Sequence, residues 1–112
     1  MSSEKYAQLV ARLLAKTDEG KLEWRETVWP DTIQVSFPNY SITLAEVYTY
    51  GELGYVGHIL NSEGRTVDSF SDDDIKREGL DRMAALYQKG RRQALSAGKA
   101  LDEILSQLSD TH

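Results

Sequence analysis

Apolar residues recur along this chain with two different periods, and the change of period divides it into three parts. Over residues 3–18, Tyr6, Leu9, Val10, Leu13 and Leu14 fall three and four residues apart, which places them on one stripe of an α-helix. Ser2 or Ser3 supplies a cap, Glu4 suits the positive end of the helix dipole, and Gly20 offers the left-handed residue that ends a helix at little cost. A helix of this length is marginal alone, so the stripe is expected to pack on the rest of the chain.

From Leu22 onward the period falls to two. Leu22, Trp24 and Val28 suggest a short extended segment interrupted at Trp29-Pro30-Asp31. Ile33, Val35 and Phe37 then alternate with Gln34 and Ser36 in a strand, and Pro38-Asn39 supplies a turn. Tyr40, Ile42 and Leu44 alternate with Ser41 and Thr43 in a second strand that runs on through Val47 and Tyr48 toward Tyr50. Gly51-Glu52-Leu53-Gly54 reads as the next turn, Tyr55–Leu60 as a third strand, Asn61–Gly64 as another turn and Arg65–Phe70 as a fourth strand. Short turns force antiparallel neighbours, so a meander of about four strands is expected. The third strand is apolar on both faces, with Tyr55 and Ile59 on one and Val56 and Leu60 on the other. Such a sheet needs cover on both sides, or a partner on one.

The helical period returns after Phe70. Ser71 is placed to cap a second helix, with Asp74 in the reciprocal position of a capping box. Ile75, Met83, Leu86, Tyr87 and Ala94 mark its buried stripe and Leu80 its edge. Gly79 and Gly90 weaken it by about 1 kcal/mol each relative to alanine, and glycines so placed mark close packing against another element. Ser96-Ala97-Gly98 ends or bends it; Leu101, Ile104, Leu105 and Leu108 form a final amphipathic helix, and Ser109–His112 should fray. The expected architecture is a single α+β domain over residues 1–112: an N-terminal helix, the β-meander, and two C-terminal helices packed on one face of the sheet, the first helix beside the second.

Composition narrows the classes of function. Hydrophobic residues make up 40% of 112 positions, enough for one core with little left for a deep internal cavity. Six tyrosines, two tryptophans and two phenylalanines supply much of the burial. There is no cysteine, which excludes disulfides, thiol nucleophiles, thiolate metal sites and iron–sulfur clusters. A small domain without such staples suits a reducing cytoplasm. No apolar run approaches the roughly eighteen residues needed to cross a bilayer, and Met1-Ser2-Ser3-Glu4-Lys5 lacks the basic and apolar regions of a signal peptide; no membrane partner is expected. A net charge of −5 argues against sequence-independent binding of nucleic acid, which needs an excess of Lys and Arg. Between positions 41 and 70, Glu46, Glu52, Glu63 and Asp68 face only Arg65.

No catalytic, cofactor-binding or metal-binding constellation emerges. Asp72-Asp73-Asp74 suits the first turn of a helix better than a hard-cation loop, since the alternating ligands, glycine and distant glutamate of a calcium site are missing. His58 is the one histidine within a predicted element; Glu46 or Asp68 could orient it from a neighbouring strand, but no serine or threonine motif accompanies it. Gly51, Gly54 and Gly57 lie between strands, where a phosphate loop would open a helix. Lys89, Arg91 and Arg92, joined by Lys76, Arg77 and Arg82, give the second helix a basic side and make a candidate anion contact, against the plainer reading of a solvated face balanced by Glu78 and Asp81. Tyr40, Tyr48, Tyr50 and Tyr55 could form a stacking platform for bases, but the region is acidic, which favours core packing or a protein interface.

Several stretches together resemble a group of small bacterial proteins with no established activity. They are Gly20-Lys21-Leu22-Glu23-Trp24, Asn39-Tyr40-Ser41-Ile42, Glu63–Phe70, Leu86-Tyr87, Arg91-Arg92-Gln93-Ala94-Leu95 and Leu101-Asp102-Glu103-Ile104-Leu105. The resemblance spans most of the chain and implies a bacterial, cytoplasmic protein; it carries no catalytic residue and no cofactor. Where similar chains often have a large apolar residue in the middle of the third strand, Gly57 stands here, which suggests a bulge or a notch for another backbone.

Two functional expectations follow. More apolar surface is encoded than so short a chain readily hides, which points to a non-enzymatic protein-interaction or regulatory module acting as a homodimer. Its candidate interface is Tyr48, Tyr50, Tyr55, Leu101, Ile104, Leu105 and Leu108. The alternative is a small-molecule-binding domain or modest enzyme, with a pocket between sheet and helices lined by His58 and the hairpin tyrosines.

Overall fold

The structure is a computed structural model that describes residues 2–75 and 78–109, the side chains of Ser2 and Ser3 excepted. Expectations placed on Lys76, Arg77, the serine caps and residues 110–112 lie outside that description. Helix α1 spans Ser2–Asp18; strands β1 (Arg25–Glu26), β2 (Thr32–Ser36), β3 (Tyr40–Thr49), β4 (Glu52–Asn61) and β5 (Thr66–Ser71) follow; a 3₁₀ turn at Asp72–Asp74 leads to α2 (Gly79–Ala94) and α3 (Ala97–Ser109). The strands pair antiparallel in sequence order. The expected α+β architecture is present, with five strands rather than four. The extra strand is the two-residue β1, paired Arg25 to Gln34 and Glu26 to Ile33; the expected extended segment at 22–28 contains it.

Alternation sets the two faces of the sheet. Ile33, Val35, Ile42, Leu44, Tyr55 and Phe70 point inward and are buried. Val10 and Leu13 of α1 and Met83, Leu86 and Tyr87 of α2 complete the core above them. Burial of each such aliphatic side chain stabilises by about 1.5–3 kcal/mol, which is what holds α1 and α2 down. Trp24 fastens the seam: its indole Nε1–H donates to Thr17 Oγ1 at 3.0 Å, and its backbone N–H donates to Gln93 Oε1 at 3.1 Å. Gln93 Nε2 in turn donates to the Leu22 carbonyl.

Three glycines explain local detail. A Cβ at Gly90 would meet Ile33 Cδ1 at 2.6 Å and the Trp24 ring at 3.0 Å, so the expected close approach of α2 is real. A Cβ at Gly79 would meet the Asp72 carbonyl at 2.6 Å. Gly57 is neither a bulge nor a notch for backbone: the Phe70 ring, on the paired position of β5, lies over it and fills the missing side chain's place. The irregularity in that strand pair falls instead between Ile59 and Leu60.

The β3–β4 turn also differs from expectation. It is Tyr50-Gly51, with φ of 53° and 81°, not the four residues from Gly51 to Gly54. A two-residue turn with both φ positive matches the twist of its strands, so β4 starts at Glu52 and both long strands have ten residues. The Ser71–Asp74 capping box is present, the Ser71 N–H donating to Asp74 Oδ2 at 2.8 Å, but it opens the short 3₁₀ turn rather than α2. Gly20 ends α1 with φ of 73°, as expected.

A further departure concerns α3. Ser96, with φ of 54°, breaks the helix after Ala94, and Gly98 lies within the new helix. No residue of α3 is buried, and among the described residues its contacts are chiefly with α2. It does not pack on the sheet as expected, because the break turns the chain away from a face that α1 and α2 already cover. The molecule is accordingly 60 Å long but only 33 by 26 Å across.

Candidate functional site

The residues singled out for chemistry are dispersed by the pleat. His58 pairs with Thr43 and Ser69, on the outer face of the sheet. Glu46 and Asp68 occupy inward positions, where Glu46 Oε2 accepts from the Tyr55 hydroxyl at 3.1 Å and Asp68 accepts from the Tyr6 hydroxyl at 2.9 Å. Neither carboxylate shares a face with His58, so neither orients the imidazole. Its Nδ1 is buried without a hydrogen-bond partner. A hollow of about 330 Å³ beside it is lined by Trp29, Thr32, Thr43, Ala45, Leu60 and Thr66. That hollow lies outside the sheet, not between sheet and helices, and holds none of the hairpin tyrosines.

The tyrosines separate likewise. Tyr55 is 1% exposed, and burial, then its bond to Glu46, pushes its phenol up to about 12. It belongs to the core and is no interface residue. Burial also raises Tyr87, while the bond to Asp68 is the main cause that raises Tyr6, whose ring stacks on Phe70 at 5.1 Å. Tyr48 and Tyr50 are exposed at the hairpin tip. Among the described residues, none of the His, Asp and Glu groups of three or more could hold a metal ion. Asp72 Oδ1 accepts from the Tyr55 N–H at 2.8 Å and so ties the 3₁₀ turn to β4.

The basic side of α2 does not converge on an anion site. Lys89 Nζ pairs with Asp18 of α1 at 2.6 Å, and Arg82 pairs with Glu78 at 3.4 Å. Arg91 flanks a second hollow of about 290 Å³ with Glu26 and Asp31, two acids that oppose an anion there. Arg92 is exposed.

Among the described residues, two apolar surfaces stand exposed. The first is the stripe of α3, where Leu101, Ile104, Leu105 and Leu108 are 53%, 55%, 53% and 63% exposed. The second is the outer face of the sheet. Its cross-strand ladders run Gln34–Thr43–His58–Ser69, Thr32–Ala45–Val56–Ser71 and Ser41–Leu60–Thr66, with Val47 opposite Gly54. The residues that β2–β5 place on these rungs include no Lys, Arg, Asp or Glu, but Arg25 of β1 ends the Gln34 rung, Glu52 lies at the hairpin end, and the Asp72 carboxylate reaches the Val47–Gly54 position. Val47, Val56 and Leu60 are half-buried and take no part in the core. Solvated sheet faces ordinarily alternate apolar residues inward with polar and charged ones outward, so an outer face whose charges, Arg25 and Asp72, stand only at its ends is a distinctive feature. Trp29, 68% exposed, stands beside it on the β1–β2 loop. The apolar half of this face was legible in Val56 and Leu60; the lack of charge at its centre and the place of Trp29 emerge only when the outward positions of β2–β5 are read together.

Comparison with protein-family models, curated proteins and solved structures finds no match for this chain. Function therefore rests on the surfaces just described. Among the described residues, no helix is long and apolar enough to cross a membrane.

Proposed function

We propose that this chain is a non-enzymatic protein-interaction or regulatory module of the bacterial cytoplasm that acts as a homodimer. The observation that carries this reading is α3: four aliphatic side chains, each more than half exposed, on one stripe of a helix that contributes nothing to the core. A thirteen-residue amphipathic helix is marginal without a surface to bind, so its sequence makes sense as half of an interface. Helix, stripe and break at Ser96 together support a docking element rather than a core element. Of the expected interface residues, Leu101, Ile104, Leu105 and Leu108 sit on this helix; Tyr48 and Tyr50 are accessible at a separate tip.

The alternative, small-molecule binding or modest catalysis at His58, has in its favour the unpaired Nδ1 and the neighbouring hollow. With both nearby carboxylates on the opposite face, the interaction reading has the stronger support.

Sedimentation equilibrium is the test. The wild-type chain should weigh twice its 12.6 kDa at tens of micromolar and dissociate on dilution. The triple variant Leu101→Ser, Ile104→Ser, Leu105→Ser should stay monomeric with its core unfolding midpoint nearly unchanged. A wild-type chain that remains monomeric to high concentration would remove the reading.

A further inference from the structure

We infer that the outer face of the sheet is the seat of α3 from a second copy of this chain, exchanged reciprocally about a two-fold axis. This rests on the self-association reading and names where the helix docks.

Connectivity points to a second copy. The outer face and the Leu101, Ile104 and Leu105 stripe of α3 are exposed apolar surfaces of one chain, yet the chain cannot join them itself. α2 lies on the inner face, and only Leu95 and Ser96 separate it from α3. Two residues span at most about 7 Å, whereas the outer face lies a further layer away, about 10 Å, around a sheet edge. A neighbouring copy has no such restriction.

Shape and chemistry agree. Thirteen helical residues make a rod about 20 Å long, and the ten-residue strands β3 and β4 run about 33 Å, so the rod fits along them. Ala45, Val56 and Leu60 form an uncharged floor for Leu101, Ile104 and Leu105, bordered at Val47 by the Asp72 carboxylate. The other broad surface, the outer side of α2, carries Arg82, Lys89 and Arg92, which an aliphatic stripe would desolvate at a loss. Pairing α3 with α3 alone is disfavoured because thirteen residues are fewer than two heptads, too short for an independent coiled coil.

Area selects reciprocity. One helix of this length on a sheet removes on the order of 700 Å² from water, below the range of stable interfaces; two symmetric seats remove on the order of 1,400 Å², inside it.

The chain has no cysteine, so introduced thiols are unique. Ala45→Cys protein mixed with Leu105→Cys protein should form an intermolecular disulfide under mild oxidation at least about tenfold faster than either variant alone. Ala45→Arg should raise the dimer Kd at least about 30-fold, and Gln88→Arg, on α2, should leave it within about threefold. Circular dichroism spectra matching wild type accompany each variant. If the protein is dimeric but Leu105→Cys links only to itself, or Ala45→Arg dimerises normally, the seat is wrong while self-association stands. If the wild-type chain is monomeric, both fall.

Discussion

On the inner side of the sheet, Ile33, Leu44 and Phe70 are locked beneath Val10, Met83 and Leu86; on the outer side of the same strands, Thr43, Ala45 and Val56 lie outside the core. The inner residues are large and interdigitate with two helices, as close packing demands. The outer ones are small, β-branched or neutral polar, and suit a surface that meets water in one state and another surface in the next. The contrast separates two jobs within one sheet. Stability resides in one face, and the other is where we propose that a second copy docks.

The contrast can be broken most forcefully at the core. Leu86→Ala, at a side chain 1% exposed, should cost about 2–5 kcal/mol of unfolding free energy, measured by urea denaturation of dilute protein. Leu60→Ala on the outer face should cost about 1 kcal/mol or less under the same monomeric conditions. Equal losses would mean that the outer face carries as much stability as the inner one.

Gly57 sharpens the comparison at smaller scale, because its inward direction is occupied by the Phe70 ring. Gly57→Ala should destabilise by about 1–3 kcal/mol through overpacking, whereas Gly64→Ala, which meets nothing in space but has φ of 82°, should lose a smaller amount from backbone strain alone. A neutral Gly57→Ala would show that Phe70 is not held over the strand.

What was legible in the sequence follows the same division. Strict periods betrayed the inner stripes of α1, β2, β3 and α2, because burial permits few residue types there. Turn positions were less legible: Gly51 and Gly54 together suggested a four-residue turn, yet Gly54 lies within β4, where a Cβ would come 3.0 Å from Asp72 Oδ1, and the second positive φ falls on Tyr50, a residue type that gives no turn signal. The sequence stripe of α3 was plain, but periodicity reports that a face is apolar and not what covers it. The same limit applied to Tyr55, whose burial depends on α2, and to His58, whose separation from Glu46 and Asp68 depends on register; a single-residue shift exchanges the faces.

Amide hydrogen exchange resolved by segment, followed across protein concentration, tests the division of labour most directly. In dilute protein the amides of α3 should exchange nearly freely, while those of β3, β4 and α2 stay protected; raising the concentration should slow α3 exchange in step with dimer formation and leave α1 unchanged. Strong protection of α3 at concentrations where the chain is monomeric, or free exchange of α3 at every concentration, would contradict a helix whose cover comes from a second copy.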